Sequence, residues 1–465
     1  MRFTILLLVL VAAVGSARAQ NESKLGADFR GEGERFQKSC ENFSMSSIPG
    51  CAELLFTDHP LHIAVGSIAP EDGFGAGAAF VAHYTPNESW RLSWDTDAVG
   101  SINGSWRAGV YMKAIYTGSK QVSTGRGRPV HPESPNPANL KRPYFNLYAQ
   151  AISLNKIDYF GLGPDTTRAG RSFFGMREII PGVSAIVPVP QSKWLNLSLF
   201  GEANGRFVDI RGSHGQPSPS IEQLYTGVTA PGLTRQPAFI QFGEGIRFQP
   251  AYGDHVQLNY FVTLQEYVAP GDSQFSFRRF TADLSHEFPI YKTTRSPLPR
   301  DHNGPDDCSV SADDNTCPAV SRNREGSIAL RLLISESIAP VGHVVPFYFD
   351  PTLGGGDLNG NSSLASYQDY RFRAPNIMLL RETFEHSIYG PLGFSFGIDE
   401  GKVALARDAI DFTHLTHSYS AGLTLRAGGF PQVFLLFAWG GHEGTHTIGS
   451  MDTSLLGGSA RPSLY

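Results

Sequence analysis

The spacing most suggestive of chemistry is His442-Glu443-Gly444-Thr445-His446, which matches H-E-x-x-H. Zinc peptidases carry that spacing on a helix, where positions i and i+4 share a face and the glutamate serves as general base. Here Gly440, Gly441 and Gly444 surround the histidines, and glycine is unfavourable inside a helix. The preceding run, Gln432 to Trp439, is apolar and strand-like. The motif therefore predicts a polar hairpin loop, with no catalytic residue, metal or cofactor. Asp158 to Asp165 (DYFGLGPD) is a glycine-rich turn, but no helix follows to complete a phosphate cradle. It reads as a connection between strands. No G-x-S-x-G elbow is present.

A second group of residues lies in Pro346 to Val403. Leu353-Gly354-Gly355 opens a loop, Tyr367 to Phe372 leads to Arg371 and Arg373, and a strand carrying Glu382 and Glu385 follows. Lipid excludes such charges, so they are expected to face the interior of a barrel. Arginines on an inward-folded loop would pair there with Glu382 and Glu385 through charge-assisted, bidentate contacts and pin the loop inside.

The elements that would hold these residues follow from period two. In Trp106 to Thr117 (WRAGVYMKAIYT), Trp106, Ala108, Val110, Met112, Ala114 and Tyr116 point one way. Arg107, Gly109, Tyr111, Lys113, Ile115 and Thr117 point the other. About fifteen segments share this texture, from Phe74–Thr85 to a last one near Thr447–Leu455. Short turns such as Asn103-Gly104 are read as alternating with long polar loops at 118–142, 212–236 and 293–323, which predicts short turns on one rim and long loops on the other. Aromatics near strand ends (Trp90, Trp106, Tyr144, Tyr159, Tyr348, Tyr389, Trp439) are expected to form interfacial girdles. In hydrocarbon no backbone group can stay unpaired, so such a sheet must close. The expected fold is all-β, a transmembrane antiparallel β-barrel of about 16 strands.

The chain has 465 residues, with 38 Lys and Arg against 43 Asp and Glu, a net charge of −5. No basic excess points to nucleic acid. Charged residues are only 17%, while Gly numbers 50 and Phe 31, which suits a turn-rich β-protein. Residues 1–19 read as a signal peptide, with Arg2, an apolar stretch from Phe3 to Val14 and Ala17-Arg18-Ala19 as cleavage site. Residues 20–72 read as a short periplasmic segment and 73–465 as the barrel. Cys40 with Cys51, and Cys308 with Cys317, form two local pairs that an oxidising compartment would turn into disulfides.

The stretch from Leu353 resembles the C-terminal barrel of the bacterial surface antigen superfamily, the BamA/TamA-type outer-membrane proteins. Leu353-Gly354-Gly355, Arg371-Phe372-Arg373, Glu382 with Glu385, and Phe396-Gly397-Ile398-Asp399-Glu400-Gly401-Lys402-Val403 follow in the family's order. The family's loop tetrapeptide, (V/L)-R-G-(F/Y), reads Leu364-Ala365-Ser366-Tyr367 here. Its arginine is replaced by Ala365, so Arg371 or Arg373 would stand in. The segment before the first expected strand is too short for a POTRA module. The resemblance implies a bacterial outer-membrane location and contact with outer-membrane lipid. It also implies a role in membrane insertion or transport of protein or lipid, with client outer-membrane proteins as partners. The chain is expected to act as a monomer and not as an enzyme. The alternative is a passive pore.

Overall fold

The computed structural model describes residue 30 and residues 61–87, 89–116, 142–189, 196–213, 218–250, 256–295, 322–389, 392–425, 433–451 and 462–464. The signal peptide and all four cysteines lie outside the described residues.

Among the described residues sixteen strands form one sheet in chain order, each antiparallel to its sequence neighbour along the ladders described. They are β1 (Leu61–Ser67), β2 (Phe74–Asn87), β3 (Trp90–Ser101), β4 (Trp106–Tyr116), β5 (Tyr144–Tyr159), β6 (Ser172–Pro188), β7 (Leu197–Gly212) and β8 (Phe239–Phe248). β9 (Gln257–Val268), β10 (Phe277–Arg295), β11 (Arg322–Ile338), β12 (Asn376–Tyr389), β13 (Leu392–Ala404), β14 (Thr416–Leu425), β15 (Val433–Gly441) and β16 (Gly444–Met451) complete the sheet.

Burial along the strands is inverted relative to a water-soluble protein. On β4, Arg107, Tyr111 and Lys113 are buried whereas Trp106 and Val110 are exposed. On β8, Gln241 is buried between exposed Ile240 and Phe242. On β5, Asn146 and Gln150 are buried while Phe145 and Leu147 are exposed. Polar atoms thus face a packed interior and large apolar side chains face outward around the sheet. Lipid is the solvent that makes this arrangement favourable. The order is linear, and among the described residues no ladder joins β1 to β16.

Three sequence expectations need correction. The sheet already includes residues before Gly73: Leu61–Ser67 is a seven-residue strand pairing with β2, inside the segment read as periplasmic. The rims are not divided into short and long. In an antiparallel meander, alternate connections share a rim. The Asn103-Gly104 turn therefore lies on the same rim as residues 213–238 and 339–375, called here the first rim. Residues 117–143 and 296–321 connect strands on the second. Finally, Tyr144, Tyr159 and Tyr348 are interior residues, not members of a girdle. Trp90 does fit one, with Tyr116 at 5.2 Å and Phe145 at 6.1 Å between ring centroids.

Candidate functional site: an inward loop at the sheet edges

The connection between β11 and β12 folds into the space the strands enclose. It enters as Phe347-Tyr348-Phe349, a single 3-10 turn with all three side chains buried. The rings meet aromatic partners facing in from four strands. Phe347 lies 5.1 Å from both Tyr159 and Phe174, and Phe349 lies 5.0 Å from Phe239 and 5.2 Å from Tyr267. Edge-to-face pairs at these distances add ~0.5–1.5 kcal/mol each beyond the area they bury. Buried cations secure the same turn. Arg279 donates from Nη2 to the Phe349 carbonyl at 2.8 Å, and Arg206, paired with Glu178 at 2.9 Å, lies over the Phe349 ring. Burial pushes the Asp350 carboxyl up to about 8, against the opposing pull of Arg279 and Arg373.

The loop then doubles back on itself. Thr352–Leu353 pairs with Phe372–Arg373, and Gly355–Gly356 pairs with Ser362–Ser363. Gly354 and Gly355, expected as a loop start, have φ of +102° and +58°. A Cβ on Gly354 would lie 2.6 Å from the Arg371 Cβ, and one on Gly355 would lie 2.6 Å from the Asp369 Cα. The two glycines are needed for close approach as well as for the turn.

Arg371 is nearly inaccessible, its side chain 3% exposed. Its Nε donates to both carboxylate oxygens of Glu443, at 2.8 and 2.9 Å, and its Nη2 stands 2.7 Å from Glu443 Oε1. Nη1 and Nη2 also donate to the hydroxyl and carbonyl of Thr166, at 2.8 and 2.7 Å. The guanidinium is flanked by Phe160 at 5.1 Å and Phe372 at 4.6 Å. Phe160 and Thr166 belong to the stretch between β5 and β6 that opens with the glycine-rich turn noted in the sequence. The Gly163 amide of that turn donates to the Arg373 carbonyl at 2.8 Å.

Glu443 is the glutamate of the H-E-x-x-H spacing. His442 and Glu443 form the two-residue turn between β15 and β16, and His446 sits on β16 opposite Ala438. The two histidines therefore share no helix face, and the carboxylate is held by Arg371. Among the described residues no group of three His, Cys, Asp or Glu could hold a metal ion.

The neighbours of Arg371 extend the contact. The Tyr367 hydroxyl accepts from the His442 amide at 3.3 Å, and its ring packs 5.1 Å from Phe372. Tyr370, at φ +58° and fully buried, donates its hydroxyl proton to the Pro70 carbonyl in the turn between β1 and β2, at 3.1 Å. Consecutive Cα atoms are ~3.8 Å apart. Two successive loop residues thus touch the first hairpin turn and the last. At the first rim, then, the two edges of the sheet come round to one place. Next to Pro70, Asp72 Oδ1 accepts from the Ser105 hydroxyl and from the amides of Asn155 and Lys156. Burial raises that carboxyl to about 6, against those three hydrogen bonds.

The remaining expected residues are placed differently. Glu382 is exposed on the outward face of β12, in register with Leu330 and Ile398. Glu385 faces inward but stands nine residues from Asn376 at the first rim, ~30 Å along the strand at ~3.3 Å per residue, and so far from Arg371. Positions three apart on a strand must face opposite ways, so Glu382 and Glu385 could never share a lumen. Arg373 instead donates to the carbonyls of Phe347 and Asp350 at 3.0 and 3.2 Å. Asp399 accepts from Arg381 at 2.7 and 3.0 Å. Arg381 also reaches the Ser362 carbonyl of the loop. Arg381, Arg206 and Arg279 carry no sequence signal noted above, and Glu443 is expected from the sequence only as part of a polar hairpin loop. Parity could have recovered Arg381, because it shares a face with Ile377 and Leu379. Ala365 is buried and offers no charge, whereas Arg371 pairs with Glu443.

A sequentially ordered sixteen-strand sheet with an apolar outside, a polar inside and an inward-folded loop is an outer-membrane β-barrel. No protein-family model and no curated protein matches the chain. Among solved structures it is similar to CdiB from Acinetobacter baumannii, with 11% identity and a TM-score of 0.47, covering 84% of this chain and 58% of that one. BamA from Haemophilus ducreyi lacking POTRA domains 1-3 gives 11% identity, a TM-score of 0.46 and coverage of 84% and 70%. CdiB from Escherichia coli gives 10%, 0.47, 85% and 61%. The chain spans less than two thirds of either CdiB.

Proposed function

We propose that this chain is an outer-membrane barrel of the BamA/TamA type that aids insertion or translocation of a polypeptide or lipid through a weak seam guarded by its inward loop. The observation that carries this reading is the double grip of Tyr370 and Arg371 on the hairpins at the two sheet edges. β16 reads Gly444-Thr445-His446-Thr447-Ile448-Gly449-Ser450-Met451, with two glycines and few apolar side chains, and β1 has seven residues. Among the described residues no ladder joins these two strands, and the loop's contacts reach the hairpin turns at both edges. Withdrawal of the loop would then expose two strand edges to a client's strand or to lipid. No covalent chemistry is involved.

The test is reconstitution in liposomes with an unfolded outer-membrane barrel as client. Client folding, followed by its mobility shift on unheated gels, is expected to run faster with this protein than without it, and to change in rate with Arg371→Ala. A rate equal to that of empty liposomes defeats the reading. The passive-pore alternative predicts stable open conductance that Arg371→Ala leaves unaltered.

A further inference from the structure

Residues 462–464 enter the same lumen. The Ser463 carbonyl accepts from Arg206 Nη2 at 2.8 Å. The Leu464 amide donates to Asn359 Oδ1 at 2.8 Å, and Asn359 Nδ2 stands 3.3 Å from the Ser463 hydroxyl. Leu464 is buried within the apolar cluster that also holds Phe349, Leu358 and Tyr148. Pro462 and Ser463 line a cavity of about 380 Å3 together with inward residues of β5 to β11 and the loop.

Both halves of this seat are preorganised. Arg206 is 1% exposed and fixed by Glu178 at 2.9 Å and by Gln241 at 2.5 Å, so the Nη2 that meets Ser463 is aimed by contacts other than those of residues 462–464. Asn359 sits in a turn that Asp357 ties, its Oδ1 accepting from the amides of Asn359 and Asn361. Two of the contacts are to main-chain groups, which every residue except proline offers in full. One apolar pocket takes a side chain. This is how extended peptides are held with little regard to sequence.

We propose that the lumen contains a binding site for an extended peptide segment, filled at rest by residues 462–464, which act as an intramolecular plug. The competitor is a polypeptide carrying a leucine-like side chain. Its identity as a client in transit rests on the function proposed above, whereas the seat and the plug do not. A tethered occupant acts at an effective concentration in the millimolar range, so an incoming segment must overcome it before it binds.

The test uses the full chain in detergent and a fluorescently labelled hexapeptide of sequence 460–465, followed by anisotropy. Leu464→Asp empties the seat, and burial of one leucine corresponds to a population shift of about tenfold or more. The hexapeptide is expected to bind Leu464→Asp at least tenfold more tightly than the unaltered chain. Adding Asn359→Ala to that variant is expected to remove the gain. Mobility shifts on unheated gels verify that each variant is folded. Equal affinity for the unaltered chain and Leu464→Asp, or indifference to Asn359→Ala, overturns the proposal. A protein that fails to speed client folding yet shows this affinity pattern keeps the plug and loses only the function proposed above.

Discussion

Replacing Arg371 by alanine removes at one stroke the bidentate contact to Glu443, two hydrogen bonds to Thr166 and the packing of the guanidinium between Phe160 and Phe372. Breaking a buried ion pair by removing one partner costs ~3–5 kcal/mol, because the other charge is left uncompensated. The Glu443 side chain is 15% exposed, so water returns part of that loss and a figure of ~3 kcal/mol is appropriate. Glu443→Gln keeps the shape and one acceptor and should cost ~1–2 kcal/mol. If the two residues act on one another, the double variant will fall short of the sum by ~1.5–3 kcal/mol. A decrease of ~3 kcal/mol raises the undocked population of the loop by more than ~100-fold. Hydrogen exchange of amides in residues 346–374, in detergent, reads that population directly, and urea unfolding gives the global value. Additivity within ~0.5 kcal/mol, or exchange in the loop that Arg371→Ala does not accelerate, would refute the assignment of Arg371 and Glu443 as the lock.

Three further outcomes follow from the geometry. Gly354→Ala is expected to lower stability by ~1–3 kcal/mol, since the residue sits at φ +102° with the Arg371 Cβ in the way; a melting temperature equal to that of the parent would contradict it. Phe349→Ala should cost ~3–5 kcal/mol by opening a void between Phe239, Tyr267 and Arg279, visible as a lower urea midpoint, and an unchanged midpoint would show that the turn is not packed as described. Asp72 carries a carboxyl raised to about 6, so the folded chain binds that proton more tightly than the unfolded one. Its contribution is present below about pH 4 and is lost as pH rises through 6. Asp72→Asn keeps the Oδ1 acceptor and should flatten melting temperature against pH across that window; a parallel fall in parent and variant would remove Asp72 from the account.

Alternation of apolar and polar residues was enough to locate β2 to β16, because in a membrane barrel each strand has to present one face to lipid and the other to the lumen. β1 escaped because Leu61–Ser67 is short and follows a polar stretch without periodicity. The rims were misread because length was allowed to stand for side, although counting connections would have put 212–236 on the rim of Asn103-Gly104. In the loop, the glycines and arginines of the site were visible as types in order. Their partners were not. Glu443 lies 72 positions from Arg371, a separation with no local period, and it stood inside a motif that suggested other chemistry. Parity alone shows that Glu382 and Glu385 cannot share a face; which of them points outward needed the strand's burial.

The contacts of Tyr370 and Arg371 lie on neighbouring residues, so the hairpin turns at the two sheet edges are fastened to one short piece of backbone. By reciprocity, a ligand that parts those two hairpins loosens the loop by the same free energy that loosening the loop lends to the ligand.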